Sequence, residues 1–536
     1  MSVETFDYII AGAGSAGSVL AARLSENGRH SVLLLEAGPP DHNIWIHVPL
    51  GVTRLFSNQT YNWCFETAPV PELNGRAIYQ PRGRVLGGTS SINGMVYIRG
   101  NPADYDGWRQ NGCMGWDWDS VLPYFKKSQD QRRGGDDFHA TGGPLRVSDI
   151  TEEFALSKAC IAAATEAGIP ANPDFNGSKQ EGTGFYQFTA SRIRRWSAAR
   201  AFLKPARKRH NLRIETDALA TRIEIENGRA TGLSYRTPKG EHLAMARGEV
   251  IVSGGVFGSP HLLQLSGIGP GDVLKAAGVG VIRAHPQVGR NLHDHFNLHL
   301  AYRCRQPITA NDLANSSLRR YWAGLKYVLA GRGPLATSGV CAGVFTRTDE
   351  RFATPDLQIN FLLYSSARRA SSGLVPHPFS AFSMSLVHLR SESRGEVTIA
   401  SANADRAPTI TMRFMETEYE KRAMIAAIGI GRHIARQPSL QPLIEEEILP
   451  GHHIQSEEEM MADIRERAIA NYHPVGTCRM GSDPDAVVDP SLKVNGIAAL
   501  RVVDASIMPQ ITTGNTNAPT IMIAEKASDM ILSDAR

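Results

Sequence analysis

The first apolar run, Phe6-Asp7-Tyr8-Ile9-Ile10-Ala11, passes directly into Gly12-Ala13-Gly14-Ser15-Ala16-Gly17 and a helical stretch through Leu24. A second run, residues 31–35, ends at Glu36. Near-continuous apolar runs of this length predict strands buried on both faces, and the segment reads as a parallel βαβ unit. Strands are also predicted over 211–216, 220–225, 249–255 (after a hairpin-like stretch) and 500–504. Proline after an Asn-Ala turn predicts a closing helix over about 519–532. Between roughly 300 and 455 the period changes. Residues 357–362, 381–389 and 395–399 alternate apolar and polar, as antiparallel strands with one wet face do.

This interleaving predicts two domains. The first is discontinuous, with pieces at 1–155 (including a covering loop at about 40–100), 191–299 and 456–536. The second, antiparallel domain takes 156–190 and 300–455 and supplies a substrate pocket. The expected class is α/β, α+β overall, with a Rossmann-like part.

Charge changes the picture little: 57 Lys+Arg against 53 Asp+Glu does not suggest a nucleic-acid partner. Six cysteines without CxxC spacing suggest neither a zinc site nor a disulfide framework, and fit a reducing compartment. The first strand starts too early for a signal peptide, and no run of 18 apolar residues exists. The expected location is cytoplasmic, with peripheral contact at the inner face of the cell membrane left open. The apolar, aromatic segment 44–56 is read as a loop over a cofactor or in a protein interface, in preference to a membrane contact.

The glycines carry the first chemistry. Gly12 permits a tight turn, Gly14 lets backbone approach a pyrophosphate, and Gly17 lets helix and strand pack closely. The helix N-terminus offers N–H groups to phosphates, and Glu36 can accept from a ribose diol. A second GxGxxG and a redox CxxC are both missing, so an FAD enzyme reduced by its own substrate fits better than a nicotinamide enzyme or disulfide reductase. The run Gly83-Arg84-Val85-Leu86-Gly87-Gly88-Thr89-Ser90-Ser91-Ile92-Asn93-Gly94 can lie flat beside a ring system.

That run, extended through Tyr97, Gly100 and Asp106, resembles the first signature of the glucose–methanol–choline (GMC) oxidoreductases. Gly255 to Gly269 resembles the second, departing at Val256. Within the family the chain is most similar to the medium-chain alcohol dehydrogenase branch of bacterial alkane oxidation and to the choline-dehydrogenase-like branch. Residues 45–51, 74–76, 195–203 and 514–520 extend the likeness to the alcohol branch.

The resemblance implies FAD. It would be bound non-covalently, because Ile92 stands where some members carry a flavin-linking histidine. The ADP half falls to Gly12, Gly14, Ser15, Ala16, Gly17, Glu36 and Ala37, with Ala220 at the adenine. The ribityl chain and ring fall to Arg84, Gly88, Ser90, Asn93, Gly94, Met95 and Val96, with Asp504 and Ala505 on the return strand. Asn517, Pro519 and Thr520 open the terminal helix, whose positive end would face the pyrimidine ring.

Among 17 histidines, His473 in His-Pro-Val-Gly-Thr is placed by its neighbours to present a ring to a cavity, and imidazole suits proton removal near neutral pH. From the residues alone it is either a base or a structural histidine; the family's HPxGT segment implies the base. Asn517 is either a helix cap or, by resemblance, the orienter of the alkoxide. His293-Asp294-His295 has the look of a metal cluster, but the corresponding family segment is structural, and no metal is expected.

The function implied is oxidation of a primary, aliphatic or aromatic alcohol to its aldehyde, with electrons passed to a quinone or another non-oxygen acceptor. A choline dehydrogenase, an oxygen-using alcohol oxidase and an FAD-containing hydroxynitrile lyase stay open as alternatives. Oligomeric state is not readable.

Overall fold

The computed structural model of the protein describes residues 4–370 and 373–535. Its first sheet grows around Glu4–Ala11, where Tyr8 to Ala11 are buried. This strand is parallel to Val32–Leu35 on one side and to Gly240–Val252 on the other. Leu212–Glu215 extends the sheet beyond Val32–Leu35, and Leu500–Val502 pairs in parallel with Gly240–Val252. The mixed α/β class read from the sequence is the observed one.

The strand expected over 220–225 is present, while the one expected at 249–255 needs correction. Residues 220–225 belong to Leu219–Glu226, which is antiparallel and forms a meander with Arg229–Thr237 and Gly240–Val252. The strand expected at 249–255 starts at Gly240 and stops at Val252. Gly255, at φ +76°, turns the chain into the helix Gly255–Leu265.

The helix Ser15–Leu24 packs against the last helix, Asn517–Asp534. Arg23 grips the fully buried Glu525 with two bonds of 2.8 Å, a bidentate geometry suited to guanidinium and carboxylate.

The second sheet is antiparallel throughout. Its order is Ile444–Leu449, Phe296–Cys304, Ala381–His388, Leu357–Leu362, Val340–Thr346 and Gly182–Phe185. The period-2 alternation is present, but its polar face is not wet. Asn297, Gln358, Ser383 and Ser385 are buried. Ser385 Oγ donates to Asn297 Oδ1 (2.9 Å), and Gln358 Nε2 donates to the Tyr186 hydroxyl (3.1 Å). Polar residues alternated because this face is covered and hydrogen-bonded, not because it meets solvent. Residues 395–399 also differ, since Glu396–Thr398 pairs only with Thr409–Thr411 outside this sheet.

The segment 44–56 is two short helices, Ile44–His47 and Val52–Leu55, joined through Pro49–Gly51. Ile46 and Leu55 anchor it against Val85 and Ile92. Among the described residues, no helix is long and apolar enough to cross a membrane, and no three His, Cys, Asp or Glu side chains cluster as a metal site.

Candidate active site

A cavity of about 780 Å³ runs from Gly12 and Glu36 to His473. Its first end is set by the glycine turn. A Cβ on Gly12, at φ +106°, would lie 2.4 Å from the Ser253 carbonyl oxygen, and one on Gly17 would lie 1.9 Å from that of Gly12. A Cβ on Gly14 would meet nothing within 4 Å. The first and third glycines are therefore demanded by packing, and the second keeps space open. Gly14 also caps the helix Ser15–Leu24 without any side-chain bond, leaving its first N–H groups for an anion. Glu36 holds the turn, accepting from Ala13 N (3.0 Å) and Gly38 N (2.9 Å), while burial pushes its carboxyl up to about 7. Both oxygens keep a further lone pair for a ligand. An open helix end, an uncrowded glycine and a carboxylate on one elongated cavity fit a dinucleotide.

Ser15, Ala16, Ala37, Gly88, Asn93, Gly94, Met95, Val96, Ala220, Asp504, Ala505, Asn517 and Thr520 also line the cavity. Asp504 is fixed by Gly255 N (2.8 Å), Ser259 Oγ (2.5 Å) and Ser506 N (2.8 Å). Four expected contacts lie off the cavity wall. Gly17 is consumed in helix packing. Ser90 is buried, donating to Gly87 O (2.5 Å) and accepting from Ala198 N (2.9 Å). Arg84 places its guanidinium 5.2 Å from the centre of the Trp63 ring. Pro519 is buried in the first turn of the last helix.

His473 lines the cavity, and its surroundings hold it neutral. Burial, reinforced by the Arg82 cation, pushes its pKa down to about 3. Its Nε2 accepts from Asn515 Nδ2 at 3.0 Å. Its Nδ1 lies 3.1 Å from His295 Nδ1 and 3.2 Å from Asn471 Nδ2. Asp294 Oδ1 accepts from His473 N at 2.8 Å, fixing the backbone beneath the ring.

The structure thus brings Asn515, not Asn517, to His473. Asn517 opens the last helix, and its Oδ1 accepts from Ser15 Oγ at 2.7 Å, tying the chain's end to the glycine turn. Asn515 Oδ1 is buried without a partner among the described residues, as expected of a group waiting for a ligand. Both asparagines stand in the stretch 514–520, but only the start of the helix distinguishes them.

His293-Asp294-His295 is scaffold for His473. His293 donates from Nδ1 to Asn291 O (2.7 Å) and accepts at Nε2 from Ile511 N (2.9 Å), which commits both nitrogens. Asn471 and Asn297, which the motifs did not flag, continue the network: Asn297 Nδ2 donates to Asn471 Oδ1 at 3.1 Å. A neutral imidazole with its Nε2 facing a cavity, beside an amide N–H, can take a proton from a hydroxyl group and hold the oxygen left behind.

The chain is similar to known proteins over nearly its whole length. Family models described as GMC oxidoreductase match residues 6–297 and 391–524. The chain is 44% identical to an alcohol dehydrogenase [acceptor] of Pseudomonas putida, covering 98% of this chain and 96% of that protein. It is 42% identical to the mitochondrial choline dehydrogenase of Homo sapiens, covering 99% and 90%. Among solved structures, pyridoxine 4-oxidase from Mesorbium loti superposes with a TM-score of 0.89 at 32% identity, covering 98% of each chain. Formate oxidase superposes with a TM-score of 0.92 at 27% identity, covering 100% of this chain and 99% of the other.

Proposed function

The chain belongs to the GMC oxidoreductase family, and from that premise we propose that it binds FAD and oxidises an uncharged primary alcohol to its aldehyde. The observation that carries the reading is the His473–Asn515 pair at one end of a cavity whose other end is built for a dinucleotide. Bound FAD supplies the hydride acceptor. His473 takes the hydroxyl proton at Nε2 once the Asn515 N–H turns from that nitrogen to the alcohol oxygen. That N–H holds the oxygen as charge develops on it, and Arg82, also on the wall, adds positive potential there. Asp294, accepting from His473 N, and His295, 3.1 Å from Nδ1, hold the ring in place.

The choice of an uncharged substrate rests on the groups behind His473. Asn471, Asn297 and Ser385 form a neutral amide and hydroxyl chain, and the buried Asp294 carboxyl beneath them is taken up by the His473 backbone N–H. A choline-like substrate is the second reading, favoured by the stacked Trp63 and Phe65 beside Glu66 on the cavity wall. The Arg84 guanidinium over Trp63 opposes it, because it already occupies that ring's attraction for a cation. For the acceptor, we propose a quinone or another non-oxygen oxidant, in line with the name of the Pseudomonas putida relative. Anaerobic titration of the flavoprotein with 1-octanol, benzyl alcohol and choline tests the substrate class. Bleaching by either alcohol and not by choline supports the reading; bleaching by choline alone moves it to the second. No bleaching by any of them, with FAD bound, removes both and leaves a non-redox lyase. Hydrogen peroxide released at the rate of turnover refutes the acceptor.

A further inference from the structure

We propose that the helix Ser317–Ala330 docks this protein onto the surface of an anionic phospholipid bilayer. The helix has 14 residues and buries none of them. Its apolar residues nevertheless recur at helical spacing: Leu318, Tyr321, Trp322, Leu325, Val328 and Leu329. A soluble helix turns such a stripe toward its core. Here it points away, with Leu318, Tyr321, Trp322, Val328 and Leu329 each between 58% and 76% exposed. The protein is held by the opposite side, where the Tyr327 hydroxyl donates to Ile193 O at 2.8 Å.

Charge specifies the partner. Arg319, Arg320, Lys326 and Arg332 are exposed on or just beyond the helix, and Arg192 and Arg194 are exposed on the hairpin it leans against. Glu152 pairs with Lys326 at 2.8 Å and Asp312 approaches Arg319 at 3.8 Å. Arg192, Arg194, Arg320 and Arg332 have no carboxylate within 4 Å among the described residues. An apolar stripe carrying Trp and Tyr, with a basic border, is the form of a helix lying in the headgroup region of an anionic membrane. A helix of this length spans about 21 Å, too short to cross the hydrocarbon core. A second copy is a poorer partner, since a two-fold contact on this face sets the same basic border against itself.

The face continues toward the cavity. Arg195, on the same hairpin, donates to Ile46 O at 2.9 Å, and the exposed Ile44 and Trp45 flank that contact. A few residues on, Val52 and Phe56 line the cavity. Docking therefore sets the roof of the cavity beside the lipid. The proposal does not depend on which substrate is oxidised.

The test is flotation of the FAD-loaded protein with vesicles of phosphatidylcholine alone or mixed with phosphatidylglycerol. The protein is expected to float with the mixed vesicles at low ionic strength. It should be released in about 1 M salt, where the screening length falls to about 3 Å. Each basic residue at such a surface raises partitioning roughly fivefold, so R194Q/R320Q/R332Q should lower the partition coefficient by about a hundredfold. L318S/W322S/L329S removes the apolar stripe and should abolish flotation. All six side chains are exposed, so flavin content and turnover of a soluble alcohol should match wild type, which separates lost docking from lost folding. Wild-type protein that stays below the mixed vesicles overturns the proposal, as does a serine variant that floats unchanged. A dimer that dissociates on Trp322→Ser, without vesicle binding, assigns the face to a second copy instead.

Discussion

Replacing Asn515 by alanine should slow alcohol oxidation far more than replacing Asn517, although both stand in the same seven-residue stretch. Asn515 Nδ2 is 3.0 Å from the nitrogen that takes the proton, on the cavity wall, where negative charge grows on the alcohol oxygen. Removing one such donor costs about 2.7–4 kcal/mol, or roughly 10²–10³ in rate. Asn517 makes a neutral bond to Ser15 Oγ, worth about 0.5–1.5 kcal/mol, at the join between the terminal helix and the glycine turn. Its loss should weaken flavin retention by about tenfold or less and leave the rate of flavin bleaching nearly unchanged. The assay is anaerobic rapid mixing with saturating alcohol, with flavin content measured on the same preparations. A His473→Gln variant serves as reference. If Asn515 acts through the same step, the double variant should be little slower than His473→Gln alone, because groups that act as a unit are not additive. A normal bleaching rate in Asn515→Ala, or a hundredfold loss in Asn517→Ala, refutes the assignment.

Gly14→Ala should fold normally yet purify without flavin, since its methyl group fills only the space left for the cofactor. Gly12→Ala should lower the thermal midpoint itself, through the 2.4 Å approach to Ser253 O at φ +106°. His473 and His293 are held at about 3 and His299 at about 4, against about 6.5 in the unfolded chain. A depressed folded pKa gives stability that is complete above pH 6.5 and is lost as pH falls toward 3–4, while Glu36 and Asp294, held up at about 7, lose stability in the opposite direction as pH rises from about 4 to 7; removing the Glu36 carboxyl by Glu36→Gln should therefore steepen the acid-side fall of the melting midpoint. The acid limb of kcat/KM should accordingly lie below pH 6.5, and Arg82→Met should move it upward by removing a cation that opposes protonation of His473. Acid precipitation should leave the flavin in the supernatant, because Ile92 offers no nucleophile for a covalent link; flavin absorbance in the pellet contradicts this.

What the sequence disclosed depended on how locally each feature is determined. Gly12, Gly14, Gly17 and Glu36 lie within 25 residues and answer to one ligand, so spacing alone identified them. The alternation in 357–362 and 381–389 was equally visible, but what covers the polar face is a long-range fact, and a hydrogen-bonded interior was read as a wet surface. Asn515 and Asn517 are two apart and chemically identical, and only the point at which the helix begins separates the one at the base from the one at Ser15. The stripe in 318–329 has the period of a core helix, and no pattern along the chain says that the core lies on its other side.

The site also explains why the glycine turn and the catalytic histidine can stand so far apart in the chain. Ser15 and Asn517 meet across 502 positions, and Arg23 and Glu525 clamp the two helices that follow them. The cradle and the proton-handling end are therefore positioned by one rigid helix pair. His473 is anchored through its neighbours to the antiparallel sheet. Val475 bridges to His293, residues 469–470 pair with Phe296 and Asn297, and Asn471 bonds Asn297 on the polar face of the antiparallel sheet. Changes on that face, at Asn297 or Ser385, reshape what stands behind the base without touching Gly14, Glu36 or Asp504. Changes in the helix pair move the cradle and leave that face intact. A fold divided in this way can keep one base and one cofactor cradle while its substrate wall varies, which accords with relatives of nearly full-length coverage named for an alcohol, for choline and for pyridoxine.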